Sequence, residues 1–114
     1  MGYRIAVATT DGKVVNQHFG KADKFYIIEI KQDNTWELVN ILEVEPICNQ
    51  NNHDEDMLNQ LVRRLEDCKY VIVSQIGYGA ETALNVAGIK AYSIRDEVTN
   101  AVNWLILHHE TEEK

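Results

Sequence analysis

Three side chains in this chain are suited to bonding a transition metal or a metal–sulfur cluster: the imidazoles of His18 and His53 and the thiol of Cys48. Imidazole and thiolate suit iron, zinc, copper and iron–sulfur clusters, whereas carboxylates and carbonyls suit magnesium and calcium. His18 lies in Val14-Val15-Asn16-Gln17-His18-Phe19-Gly20, between two segments that read as strands. There an imidazole and a flexible glycine share a loop, where a side chain is free to meet a ligand. Cys48 follows Pro46 in the Asn-rich run Glu45-Pro46-Ile47-Cys48-Asn49-Gln50-Asn51-Asn52-His53, which has neither helical nor strand period. A closed zinc site is not supported, because there is no Cys-x-x-Cys pair and four ligands cannot be assembled. A cluster that brings its own ligands needs only one or two protein anchors. The plainer readings stay open: a loop histidine is more often solvated than metal-bound, and the Cys48–His53 spacing in an irregular loop fixes no geometry.

Gly77-Tyr78-Gly79, opening a helix after a strand, is a second place for chemistry, since backbone N–H groups at a helix N-terminus attract anions. Its spacing matches neither the dinucleotide fingerprint nor the phosphate loop, and two glycines also serve a tight turn. His108 and His109 read as cations favoured by the C-terminal end of the last helix, or as fraying residues. Cys68 reads as a small buried hydrophobe at an element boundary. Enzymatic patterns are weaker. No serine sits in a nucleophile elbow, the acids fall in turns, first helical turns and the tail, and a Cys48–His53 nucleophile pair lacks an orienting partner.

The elements that must hold these residues follow from hydrophobic period. Tyr3, Ile5 and Val7 alternate with Arg4, Ala6 and Ala8, predicting a strand over 3–9. Residues 25–30 and 36–44 predict a hairpin closed by Asp33-Asn34. Asp54 is positioned to cap a helix striped by Met57, Leu58, Leu61, Val62 and Leu65. Then come a strand over 70–74, a helix over 80–87 stopped by Gly88, a strand over 89–92, and a last helix striped by Val98, Ala101, Val102, Leu105 and Ile106. The charged tail beyond it is expected to fray. Strand–helix–strand order in the second half implies parallel pairing with a right-handed crossover. The sum is an α/β fold with a mixed five-stranded sheet covered by helices.

With 114 residues, 45 % hydrophobic and 25 % charged, the chain suits one domain over 1–114 that needs no disulfide or structural metal. A formal net charge of -7 argues against nucleic acid and against an anionic membrane as partners. No apolar run has the length of a membrane span, the N-terminus shows no signal-peptide core, and two cysteines make no disulfide framework. A cytoplasmic protein is expected.

Arg4-Ile5-Ala6-Val7-Ala8-Thr9 followed by Val15-Asn16-Gln17-His18-Phe19-Gly20-Lys21-Ala22-Asp23-Lys24-Phe25-Tyr26-Ile27 resembles the opening of the dinitrogenase iron–molybdenum cofactor biosynthesis family. That family includes NifX, the NafY core and the NifB C-terminal domain. Val71-Ile72-Val73-Ser74-Gln75-Ile76-Gly77-Tyr78-Gly79-Ala80 and Ala87-Gly88-Ile89-Lys90 also fit its pattern, so the resemblance covers nearly the whole chain. It implies a ribonuclease-H-like three-layer α/β/α fold. It also implies a non-catalytic part in binding, holding or handing over an iron–sulfur or iron–molybdenum cluster between donor and acceptor proteins. By motif match, His18 carries over as the cluster ligand, with Phe19, Gly20, Gly77 and Gly79 lining the site and Cys48 and His53 as further metal ligands. The radical-SAM cysteine motif of full-length NifB is not present in these residues, so its cluster-forming catalysis is not expected of them. The rival readings are a small-anion or nucleotide module at Gly77–Gly79, and a docking subunit that binds no metal.

Overall fold

The computed structural model describes residues 2–46, 48–49, 52–53 and 55–112, giving the backbone alone at 48, 49, 52, 53 and 55. Asp54, the expected helix cap, lies outside the described residues. Strands β1 (Tyr3–Ala8), β2 (Lys24–Ile30) and β3 (Trp36–Glu43) form an antiparallel meander. After two two-residue strands, β4 (Cys48–Asn49) and β5 (Asn52–His53), come helix α1 (Glu55–Arg64), strand β6 (Cys68–Val73), helix α2 (Tyr78–Val86), strand β7 (Lys90–Ser93) and helix α3 (Val98–Glu112). The main sheet has the order β3-β2-β1-β6-β7, with β6 and β7 parallel to β1. The mixed five-stranded sheet is therefore as the sequence predicts.

Central strands covered on both faces must be apolar at every position, and β1 is so from Ile5 to Ala8. Ala6, Ala8, Phe25, Ile27, Val71 and Val73 face one way, onto Leu61, Val62 and Leu65 of the α1 segment and Leu84 of α2. Ile5, Val7, Ile28, Ile30, Tyr70 and Ile72 face the other way, onto Val98, Ala101, Val102, Leu105 and Ile106 of α3. The stripes read from the sequence are the faces that pack, and the result is three layers. Gly88, with φ 85°, ends α2 in the left-handed conformation that an L side chain resists.

Two expectations are corrected. The Cys48–His53 run is not without period: β4 and β5 pair antiparallel, with Cys48 opposite His53. The pattern is too short to see in sequence, because each strand has only two residues. The last helix does not fray at its histidines either. Tyr70 Oη lies 2.7 Å from His109 Nδ1, and Tyr92 Oη lies 3.0 Å from His108 Nε2. Trp104 stacks on His108 at a centroid distance of 4.8 Å, and Glu112 lies within 3.2 Å of both His108 and Lys90. Partners from β6 and β7 hold this last turn, and nothing local to it announces them.

Candidate functional site

The loop after β1 is built to hold one short stretch outward. Buried Thr9 starts it: its Oγ1 donates to Val14 O at 2.6 Å and accepts Gly12 N–H at 3.0 Å. Asp11 Oδ1 accepts the N–H groups of Lys13 (2.8 Å) and Val14 (3.3 Å), and these bonds hold its carboxyl below the usual carboxylate range. Gly12 turns at φ 77°, and a Cβ there would stand 2.5 Å from the Tyr26 ring. Val15 and Phe19 then bury their side chains, while Asn16 and His18 between them face solvent.

Neighbouring loops clamp this stretch. Val15 N–H donates to Asp96 O (2.9 Å) and Val98 N–H to Lys13 O (2.8 Å), on the segment that opens α3. Ser74 N–H donates to Gln17 O (3.0 Å) and Phe19 N–H to Gln75 O (2.8 Å), on the segment that leaves β6. His18 and Gln75 thus form a parallel bridge. The site lies where adjacent parallel strands β1 and β6 end and their chains part, one returning to β2 and the other crossing to β7. Ligands of open α/β sheets favour such a position.

The residues singled out by type fall as follows. His18 is exposed and extended (φ -73°, ψ 147°) at the start of a 3-10 turn over Phe19–Lys21. Phe19 puts its ring into the core, 5.8 Å from Phe25, so at the site it anchors the loop and offers only its backbone. The backbone of β4 passes within 8 Å of the 3-10 turn, Cα to Cα, which brings the Cys48–His53 pair alongside the His18 loop. Among the described residues no three His, Cys, Asp or Glu side chains gather into a metal-sized group, and the Cys48 and His53 side chains lie outside that description. One imidazole on an open rim can make one exchangeable bond.

Gly77 caps α2 with φ -79°, a conformation any residue adopts, and among the described residues no side chain caps the N-terminus of that helix. A Cβ at Gly77 or Gly79 would meet nothing within 4 Å, so neither backbone strain nor close packing demands these glycines. Two shallow depressions of about 410 Å³ lie elsewhere, both bordered by Gly88 and Lys90, and contain none of the predicted residues. Cys68 is buried at the start of β6, and desolvation pushes its thiol up to about 11, so it is a packing residue.

Sequence reading missed Arg95. Its Nε donates to Ser74 O at 3.3 Å and its Nη2 to Gln75 Oε1 at 3.2 Å, beside the His18 bridge. Standing twenty residues after Gln75, it shows no motif; only the parallel register of β6 and β7 brings it there.

The family model described as dinitrogenase iron-molybdenum cofactor matches residues 1–106. The FeMo cofactor biosynthesis protein NifB of Frankia alni is 41% identical over 102 residues, which are 86% of this chain and 20% of that protein. Protein NifX of Sinorhizobium fredii is 30% identical over 96 residues, 81% of this chain and 58% of NifX. The chain spans about a fifth of the length of the NifB relatives it matches. Among solved structures, a candidate dinitrogenase of Methanocaldococcus jannaschii superposes with a TM-score of 0.62 at 16% identity, covering 95% of this chain and 91% of the other. A candidate NifB protein of Thermotoga gives 0.57 at 21% identity, covering 93% and 88%. These two establish the shared fold.

Proposed function

The chain belongs to the dinitrogenase iron-molybdenum cofactor family, and on that footing we propose that it is a binding and carrier protein for a metal–sulfur cluster. Its relatives are proteins of FeMo cofactor biosynthesis, and the cargo in this reading is an iron–sulfur or iron–molybdenum cluster or its precursor. The protein works without catalysis, as one NifX-like domain in the cytoplasm, between a cluster donor and an acceptor. We read its sheet as a member of the ribonuclease-H-like class.

The observation that carries this reading is the exposure of His18 on a loop clamped by β6 and α3 and anchored at Val15 and Phe19. A neutral imidazole there forms an Fe–N bond as a departing ligand leaves the same metal with its electron pair. No electron changes hands. Cys48 and His53, on the hairpin beside the 3-10 turn, are the proposed further ligands, with Gly20 next to Phe19 at the proposed site and Gly77 and Gly79 leaving room for bulky cargo. Few protein bonds favour release, which a carrier requires.

Anaerobic incubation with iron, sulfide and molybdate, followed by desalting and metal analysis, tests the reading. Metal retained by the wild type and lost from His18→Ala is the expected result. Equal retention by His18→Ala removes His18 from the site, and Cys48→Ala tests the second anchor.

One observation favours a second reading, a small-anion module. Among the described residues no side chain caps the N-terminus of α2, which carries two glycines that strain and packing do not require. Thermal stabilisation by inorganic phosphate, with no response to metal, would select it.

A further inference from the structure

A thiolate-ligated iron–sulfur cluster is an anion, and a chain of net charge -7 must offer it a local positive field. Arg4 cannot supply one. It stands near the start of β1, about 13 Å of strand before Ala8 and the loop beyond. Lys21 and Lys24 lie close to His18 in sequence, on flexible stems.

Arg95 is differently placed. Its guanidinium is oriented by Ser74 O and by Gln75 Oε1, and Gln75 is the residue that pairs with His18. A guanidinium has five N–H groups, and those two bonds engage only two of them. Among the described residues no carboxylate pairs with Arg95. Its acidic neighbour Asp96 points its Oδ1 at Glu97 N–H (2.6 Å) and Asn100 Nδ2 (3.0 Å), into the start of α3. Asp11 likewise spends its Oδ1 on the amides of its own loop. Both of these carboxylates are hydrogen-bonded within their own segments, and the cation is bonded to Gln75, the residue that bridges His18.

We infer that Arg95 is the charge-recognition residue of the His18 site, selecting anionic metal–sulfur cargo. This rests on the carrier reading. The imidazole supplies an exchangeable bond; the guanidinium supplies attraction and N–H donors to sulfide or thiolate.

The test is an anaerobic spectrophotometric titration with a synthetic [4Fe–4S] cubane carrying 2-mercaptoethanol thiolates, a dianion, at low and high salt. Wild type, Arg95→Gln, Arg95→Lys and His18→Ala are compared, with thermal melts to verify folding. Loss of a charged, oriented donor should weaken binding by Arg95→Gln about tenfold and flatten its salt dependence. Arg95→Lys should restore the salt dependence but only part of the affinity, since a lysine cannot fork between Ser74 and Gln75. A purely structural Arg95 would leave the salt dependence unchanged in every variant. If Arg95→Gln binds as the wild type does at both salts while His18→Ala fails, this inference falls and the carrier reading stands. If the wild type binds no cubane, both fall.

Discussion

Asn16 and His18 are exposed between two buried side chains, Val15 and Phe19, so no core contact is lost when the histidine is replaced. His18 has a backbone role, bridging Gln75, that any residue can fill. His18→Ala should therefore shift stability by no more than about 0.5 kcal/mol, the usual range for exposed substitutions. Equilibrium urea unfolding checks this, and a large loss would mean that the imidazole is structural. The sequence made His18 legible because its signal is local: type, loop position and a flanking glycine. Arg95 was not legible, since its meaning depends on Ser74 and Gln75, reached only through strand pairing. For the same reason His108 and His109 read as fraying: Tyr92 and Tyr70 are distant in the chain.

Among elements, the loop over residues 9–22 is the one whose rigidity the site needs, and two substitutions attack it differently. Phe19→Ala removes a ring that is 1% exposed and packed beside Phe25, so a loss of about 3–5 kcal/mol is expected. Cluster retention should fall with it, because the anchor after His18 is gone. Gly12→Ala meets both a positive φ and the Tyr26 ring at 2.5 Å, and should cost about 1–3 kcal/mol. A melt of Gly12→Ala that matched the wild type would show that the turn relaxes freely, against the clamp described above. Element type was readable from period in the five-stranded sheet and the three helices, and the boundaries moved by a few residues. The β4–β5 pair escaped because two residues per strand carry no alternation to read.

For the molecule as a whole, the distribution of shifted groups sets how stability responds to pH. Asp11, Asp33, Asp96 and Glu112 are held below the usual carboxylate range, chiefly by hydrogen bonds that favour the charged form. Their folded values are depressed, so their stabilisation is full above the ordinary 3.8 of aspartate and 4.5 of glutamate. It is lost as pH falls through the lower folded values. At the other end, burial pushes the Tyr3 hydroxyl up to about 12 and the Cys68 thiol up to about 11. These folded values are raised, so their contribution is present below the ordinary 10.0 and 9.0 and is lost as pH climbs towards the folded values. Urea midpoints should hold level between about pH 5 and 9 and decline on both sides. Tyr3→Phe separates the alkaline causes, because the Tyr3 hydroxyl is buried without a hydrogen-bond partner among the described residues. Removing an unsatisfied hydroxyl should leave the midpoint at pH 7 unchanged or slightly higher, and the decline above pH 10 should become shallower. A Tyr3→Phe variant that weakens at pH 7 would mean that this hydroxyl has a partner, and an alkaline limb of unchanged slope would assign the decline to Cys68 together with Tyr92, whose hydroxyl burial also pushes up.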